Sequence, residues 1–147
     1  MPNGNRNEIV SARIFHYPVE QIFKAWADPH LLAQWWGPKG FTSTFDEFDF
    51  TNGGLWKFTM HGPDGADYHN FNRFIEIFQP VKIVFDHLEP VHTFRATALF
   101  EKMDESTRLV FSMLFDSAGE YEKVKDFIAK ANEENFDRLE AVLYATK

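Results

Sequence analysis

The feature that most constrains the fold is a change of hydrophobic period along the chain. Between residues 41 and 115 apolar side chains recur at every second position, in six segments separated by short turns. A period of two indicates strands, and short connections make consecutive strands pair antiparallel. From about residue 119 to 145 the apolar residues recur instead at helical spacing. The sequence therefore predicts one antiparallel sheet followed by one long helix.

Turn and cap residues divide this pattern into elements. Asn52-Gly53 is the strongest hairpin signal, Pro18 opens a first short helix, and Asp28-Pro29 separates it from a second. The predicted strands cover residues 8–15, 41–50, 55–61, 68–78, 81–88, 92–103 and 107–115. The order β-α-α-β6-α gives an α+β fold, in which a sheet curved by its own twist covers its concave face with the last helix.

Length and charge narrow the class of protein. Residues 1–7 are predicted to form a disordered tail, and residues 8–147 a single domain. A net charge of −7 argues against nucleic acid and anionic membranes as partners. Cysteine is absent, which excludes disulfides and thiolate metal sites. No apolar run reaches the ~18 residues needed to cross a bilayer and no signal peptide precedes the domain, so we expect a cytoplasmic protein.

Four short segments carry a resemblance to a known family. They read PVEQIFKAW at 18–26, QWWGP at 34–38, NGGLWKF at 52–58 and GPDG at 62–65. In these segments the chain resembles single-domain proteins similar to the C-terminal domain of the activator of Hsp90 ATPase. That group lies within the START-like, Bet v 1-like (SRPBCC) superfamily. The resemblance implies a helix-grip fold, with a cavity for a small, largely apolar ligand between the sheet and the C-terminal helix.

The same resemblance raises the question of a chaperone partner. The co-chaperone that gives the family its name depends on a separate N-terminal domain for much of its hold on Hsp90. These 147 residues leave no room for such a domain, so the resemblance does not favour Hsp90 as a partner. A chaperone-associated interaction module stays an alternative. Thr51-Asn52 also stands where the family often has Arg-Pro, so the polar chemistry near that turn is expected to differ.

Residue parity assigns the more apolar face of the sheet to the interior. Arg73 and His87 are polar positions on that face, and Asn135 is polar on the apolar side of the last helix. One interpretation is that they orient a polar group of the ligand, as the few polar residues of pockets do. The alternative places Arg73 at the cavity mouth or paired with a carboxylate, His87 hydrogen-bonded in the core, and Asn135 at a solvent-facing helix edge.

Seventeen phenylalanines suggest a lined cavity, because many rings on strands leave irregular gaps, although a solid aromatic core is the alternative. Trp35 and Trp36 are expected to roof this cavity, unless one of them belongs to the core. The predicted cavity lining consists of Trp35, Trp36, Phe41, Trp56, Phe58, Met60, Phe71, Arg73, Phe85, His87, Phe111, Met113, Phe127, Ala131 and Asn135.

Motifs for catalysis are missing from the sequence. The six histidines show no metal-binding spacing, no nucleophile elbow is present, and neither a metal nor a cofactor is predicted. Asp46, Glu47 and Asp49 share one strand, and one of them facing His87 would suit an enzyme of the polyketide cyclase or dehydratase type. The sequence favours a ligand-binding protein over this enzymatic alternative.

The second face of the sheet also contains apolar residues. A convex face left to water does not normally carry so many, so a homodimer interface would explain them. The alternative is that bulges shift the parity and turn several of them inward. The residues concerned are Leu55, Phe74, Phe78, Val84, Leu88, Leu99, Val110 and Leu114.

Overall fold

The computed structural model of the protein describes residues 7–89 and 93–146. Its elements confirm the predicted α+β order. They are β1 (Glu8–Phe15), α1 (Val19–Ala27), α2 (Pro29–Trp35), β2 (Thr42–Phe48), β3 (Leu55–His61), β4 (Asp67–Phe78), β5 (Lys82–Glu89), β6 (Phe94–Met103), β7 (Ser106–Phe115) and α3 (Ala118–Thr146). Residues 1–6 of the predicted tail and His92, the start of the predicted sixth strand, lie outside the described residues.

The seven strands form one antiparallel sheet in the order β1-β7-β6-β5-β4-β3-β2. Each strand from β2 to β6 pairs with the next one in sequence, and β1 pairs with β7 at the far edge. The curved sheet wraps around α3, which contacts β1 and β7 on one side and the two short helices on another. Among the described helices, none combines the length and the apolar character needed to span a membrane.

An aromatic core fills the space between the short helices and the sheet. The rings of Trp26 and Trp35 meet edge to face with centroids 4.9 Å apart. The Nε1 of Trp35 donates a hydrogen bond of 3.0 Å to the carbonyl of Ala25, at the end of α1. On the sheet, Trp56 stacks parallel to Phe74 at 5.8 Å. These fully buried rings give this end of the molecule a solid interior.

Strand β4 departs from the predicted parity. Its register against β5 shifts between Phe74 and Glu76, so a bulge changes the face on which side chains lie. Ile77 points inward as predicted. On the N-terminal side of the bulge, however, the predicted inner and outer faces are exchanged. Asn72 and Phe74 are buried, whereas Arg73 is exposed. Phe74 and Val84, predicted on the outer face, are both buried. These two residues are therefore not available for the predicted homodimer interface, and the homodimer stays a prediction.

A single arginine ties α3 to the edge of the sheet. Arg13 of β1 forms ion pairs with Glu133 and Asp137, each at 2.9 Å, and with Glu140 at 3.2 Å. Its guanidinium also lies 5.5 Å from the ring centroid of Phe136. Desolvation lowers the pKa of Arg13, but the hydrogen bonds and attraction from Glu133 and Asp137 outweigh it and leave that pKa raised. The three carboxylates are on successive turns of one helix face, so they clamp α3 onto β1.

We predict that Arg13→Ala lowers the free energy of unfolding by about 1–2 kcal/mol, because it removes an ion-pair network together with ring packing. Arg108→Ala is the matched control, since Arg108 forms one exposed pair with Glu101 at 3.0 Å. That control should change stability by less than about 0.5 kcal/mol. Urea unfolding of both variants measures the difference, and equal losses would contradict the clamp.

Candidate ligand-binding site

A cavity of about 480 Å³ lies between the concave face of the sheet and α3. This volume is within the range of about 300–1,000 Å³ that is usual for small-molecule sites. Two residues at its edge, Tyr68 and Phe127, are 46% and 68% exposed, so the cavity opens to solvent there. It is lined by Trp36, Gly37, Pro38, Phe41, Phe58, Met60, Tyr68, Asn70, Asn72, Phe85, His87, Phe94, Phe111, Met113, Phe127, Ile128, Ala131, Asn132 and Asn135.

The segment after α2 forms part of the wall and is fixed to α3 by side chains. The Gly37 N–H donates to Oδ1 of Asn135 at 2.8 Å, and its carbonyl accepts from Nη1 of Arg138 at 2.6 Å. Gly37 has a φ of +116°, which disfavours residues with a Cβ. Burial lowers the pKa of the Arg138 guanidinium, whose Nη2 also bonds the carbonyl of Gln34 at 2.9 Å. The wall is therefore held in place before any ligand enters.

Aromatic rings separate the cavity from the core. Trp36 lines the cavity, and its ring contacts Trp56 at 5.1 Å, Phe85 at 6.1 Å and Phe111 at 6.2 Å between centroids. Phe111 is in turn 5.6 Å from Trp26. The rings that face the cavity are thus backed by other rings, which restricts their movement. A flat apolar molecule would meet ring faces and edges on several sides.

The described wall of the cavity contains polar groups but no carboxylate, lysine or arginine. The Nδ2 of Asn72 donates to the carbonyl of Trp56 at 3.1 Å, so its Oδ1 is the acceptor for Nδ1 of His87 at 2.8 Å. This bond puts a proton on Nδ1 of His87, whose ring stacks on Phe94 at 4.8 Å. His87 is therefore both hydrogen-bonded in the interior and part of the wall.

Four of the residues predicted to line the cavity do not do so. Trp35 and Trp56 are each 1% exposed and belong to the solid core behind the wall. Phe71 and Arg73 lie on the outer face because of the bulge in β4, and Arg73 donates to the carbonyl of Gly53 at 2.8 Å. The structure brings the other eleven together: Trp36, Phe41, Phe58, Met60, Phe85, His87, Phe111, Met113, Phe127, Ala131 and Asn135.

Sequence reasoning missed a polar part of the wall. Tyr68, Asn70 and Asn72 replace Phe71 and Arg73 on the inner face of β4 once the bulge is placed correctly. Asn132 on α3 was also missed. It is three residues before Asn135, and that i, i+3 spacing places both amides on one side of the helix. An asparagine pair at this spacing in an amphipathic helix was the available signal.

Asp46 and Glu47, two of the three carboxylates predicted to face His87, have other partners. Asp46 accepts a hydrogen bond from Thr59 at 3.0 Å, and Glu47 pairs with Lys57 at 3.6 Å. Both carboxylates are on edge strand β2, which β3 and β4 separate from the strand of His87. At ~4.8 Å per strand the gap along the sheet is about 14 Å. Within residues 7–89 and 93–146, no three His, Asp or Glu side chains are grouped to hold a metal ion.

Comparison with known proteins decides the family. A family model described as "Activator of Hsp90 ATPase homolog 1-like protein" matches residues 16–144, which is most of the chain. The chain belongs to this family. No curated protein matches it.

Solved structures of similar proteins have the same fold. A protein from Arthrobacter aurescens is 26% identical with a TM-score of 0.90, over 99% of this chain and 90% of that one. A protein from Mycobacterium smegmatis is 25% identical with a TM-score of 0.85, over 99% and 96%. A protein from Nitrosomonas europaea, at 18% identity, covers both chains completely with a TM-score of 0.89, and that likeness concerns the fold alone. The helix-grip fold of the family is therefore shown for this chain.

Phe111→Ala tests whether one side of that ring faces open space. Phe111 is 4% exposed but lines the cavity, whereas Phe136, 2% exposed, packs edge to face on Phe15 at 5.7 Å in the solid core. We predict a loss of about 1.5–3 kcal/mol for Phe111→Ala and about 3–5 kcal/mol for Phe136→Ala. Thermal unfolding of both variants makes the comparison. Equal losses would mean that Phe111 is packed on all sides.

Proposed function

We propose that the protein binds a small, largely apolar molecule in the cavity between the sheet and α3. The observation that carries this proposal is the cavity of about 480 Å³, whose wall is mostly aromatic and aliphatic. Protein interiors normally pack without voids, and a single water needs only ~10–15 Å³. Leaving this much apolar wall open to water beside a densely packed core forgoes contacts that a filled interior would have. A ligand would restore them.

The wall also has the features of a preformed site. Its rings are backed by core rings, and the Gly37 segment is fixed by Asn135 and Arg138. A rigid wall lowers the entropy cost of binding, because few side chains need to be ordered when the ligand enters. The open edge at Tyr68 and Phe127 gives the ligand a route from solvent. The superfamily to which this family belongs binds small hydrophobic ligands, which supports the same proposal.

Filling the cavity tests this function directly. The probe is the neutral, apolar fluorophore N-phenyl-1-naphthylamine, whose emission rises when it leaves water. Ala131 lines the cavity on α3, so the indole of Ala131→Trp would occupy the ligand's space. We predict saturable binding by the natural protein and at least a tenfold weaker affinity in the variant.

The matched control is Ala129→Trp, two residues earlier on α3 and exposed to solvent. It adds the same indole outside the cavity and should bind the fluorophore like the natural protein. Circular dichroism and thermal unfolding check that both variants keep their fold. Binding that is absent from the natural protein, or equal in all three proteins, would contradict the proposed function.

A further inference from the structure

Two asparagine amides on the cavity side of α3 have hydrogen-bonding atoms that no described residue uses. Asn135 accepts the Gly37 N–H with Oδ1, which identifies Nδ2 as its donor, and that nitrogen donates to no described residue. Asn132 is 5% exposed and donates from Nδ2 to Oγ of Ser11 at 3.2 Å and to Sδ of Met113 at 3.6 Å. Its Oδ1 accepts no hydrogen bond from a described side chain.

Both unused atoms keep access to open space. Among the described residues, the indole nitrogens of Trp26 and Trp56 are the unpartnered side-chain atoms that are fully sealed from solvent. The unused atoms of Asn132 and Asn135 are not sealed in this way, and both residues line the cavity. Polar atoms that face a pocket are the groups that fix a ligand's orientation there. A donor and an acceptor, three residues apart on one helix face, therefore stand ready for a group that enters the cavity.

We infer that the ligand carries an uncharged hydroxyl group, which accepts from Nδ2 of Asn135 and donates to Oδ1 of Asn132. This inference rests on the proposed function and adds the chemical class of the ligand. A hydroxyl is both donor and acceptor, so one such group matches the donor and the acceptor that the two amides leave unused. A carboxylate has no proton to give Asn132, and no lysine or arginine lines the described wall to replace its hydration. The ligand is thus an apolar alcohol or phenol and not a fatty or aromatic acid.

Three matched probes separate these possibilities by displacing N-phenyl-1-naphthylamine. Biphenyl-4-methanol presents the hydroxyl, 4-methylbiphenyl presents no polar group, and biphenyl-4-carboxylate presents a charge. We expect the alcohol to displace the fluorophore with an affinity about tenfold higher than the hydrocarbon, the size of one or two net hydrogen bonds. The carboxylate should bind most weakly.

Asn135→Asp tests the assigned donor with little change of shape. The aspartate keeps an oxygen for the Gly37 N–H but loses the Nδ2 donor. We predict at least a tenfold loss of affinity for biphenyl-4-methanol and less than about a threefold loss for 4-methylbiphenyl. Asn70→Asp is the matched control, because it places the same charge elsewhere on the wall, where Asn70 bonds the carbonyl of Tyr68. It should reduce binding of the alcohol and the hydrocarbon by the same modest factor.

The outcomes distinguish this inference from the function on which it rests. If the fluorophore itself does not bind, the proposed function fails. If the fluorophore binds but the hydrocarbon or the carboxylate displaces it as well as the alcohol does, the cavity binds apolar molecules and the hydroxyl assignment is wrong. The assignment is equally wrong if none of the three probes displaces the fluorophore. It is also wrong if Asn135→Asp and Asn70→Asp lower the affinity for the alcohol by the same factor.

Discussion

Helix α3 buries its side chains completely only along its C-terminal half, whereas the apolar residues of its N-terminal half are less buried. The buried residues of the helix begin at Asn132 and continue through Phe136, Leu139, Val142 and Leu143. Before Asn132, the apolar residues Val124, Phe127, Ile128 and Ala131 are only partly buried or exposed. The rest of the structure depends on this unequal contact, because an evenly packed helix would leave no space above the sheet.

Packing between the short helices and the sheet explains why α3 does not move closer to the sheet. The tryptophans of α1 and α2 and the rings of β3 and β4 form a solid core that supports the C-terminal half of α3. Arg13 holds the same half of the helix to strand β1 through three carboxylates, and Arg138 and Asn135 hold the Gly37 segment against it. These contacts fix the distance between helix and sheet, so the open volume is a consequence of rigid supports and not of loose packing.

The sequence was sufficient to predict the architecture and part of the cavity wall. Hydrophobic period, the Asn52-Gly53 turn and the proline positions predicted the order of all ten elements, since each of these signals is local. The prediction that Phe71 and Arg73 line the cavity was wrong, because it depended on a signal that is not local. The bulge after Phe74 shifts strand parity by one residue, and a single sequence does not mark where β4 and β5 change register. The lack of an arginine in the described wall depended on that shift, because it replaces Arg73 with asparagines.

Xenon pressure applied to a crystal of the protein tests most directly whether the interior is open. Xenon occupies apolar cavities and leaves well-packed cores empty. We predict xenon density between the sheet and α3, in contact with Phe85, Phe111 and Ile128, and none between Phe15 and Phe136. Side chains collapsed into that space, with no xenon bound there, would contradict it.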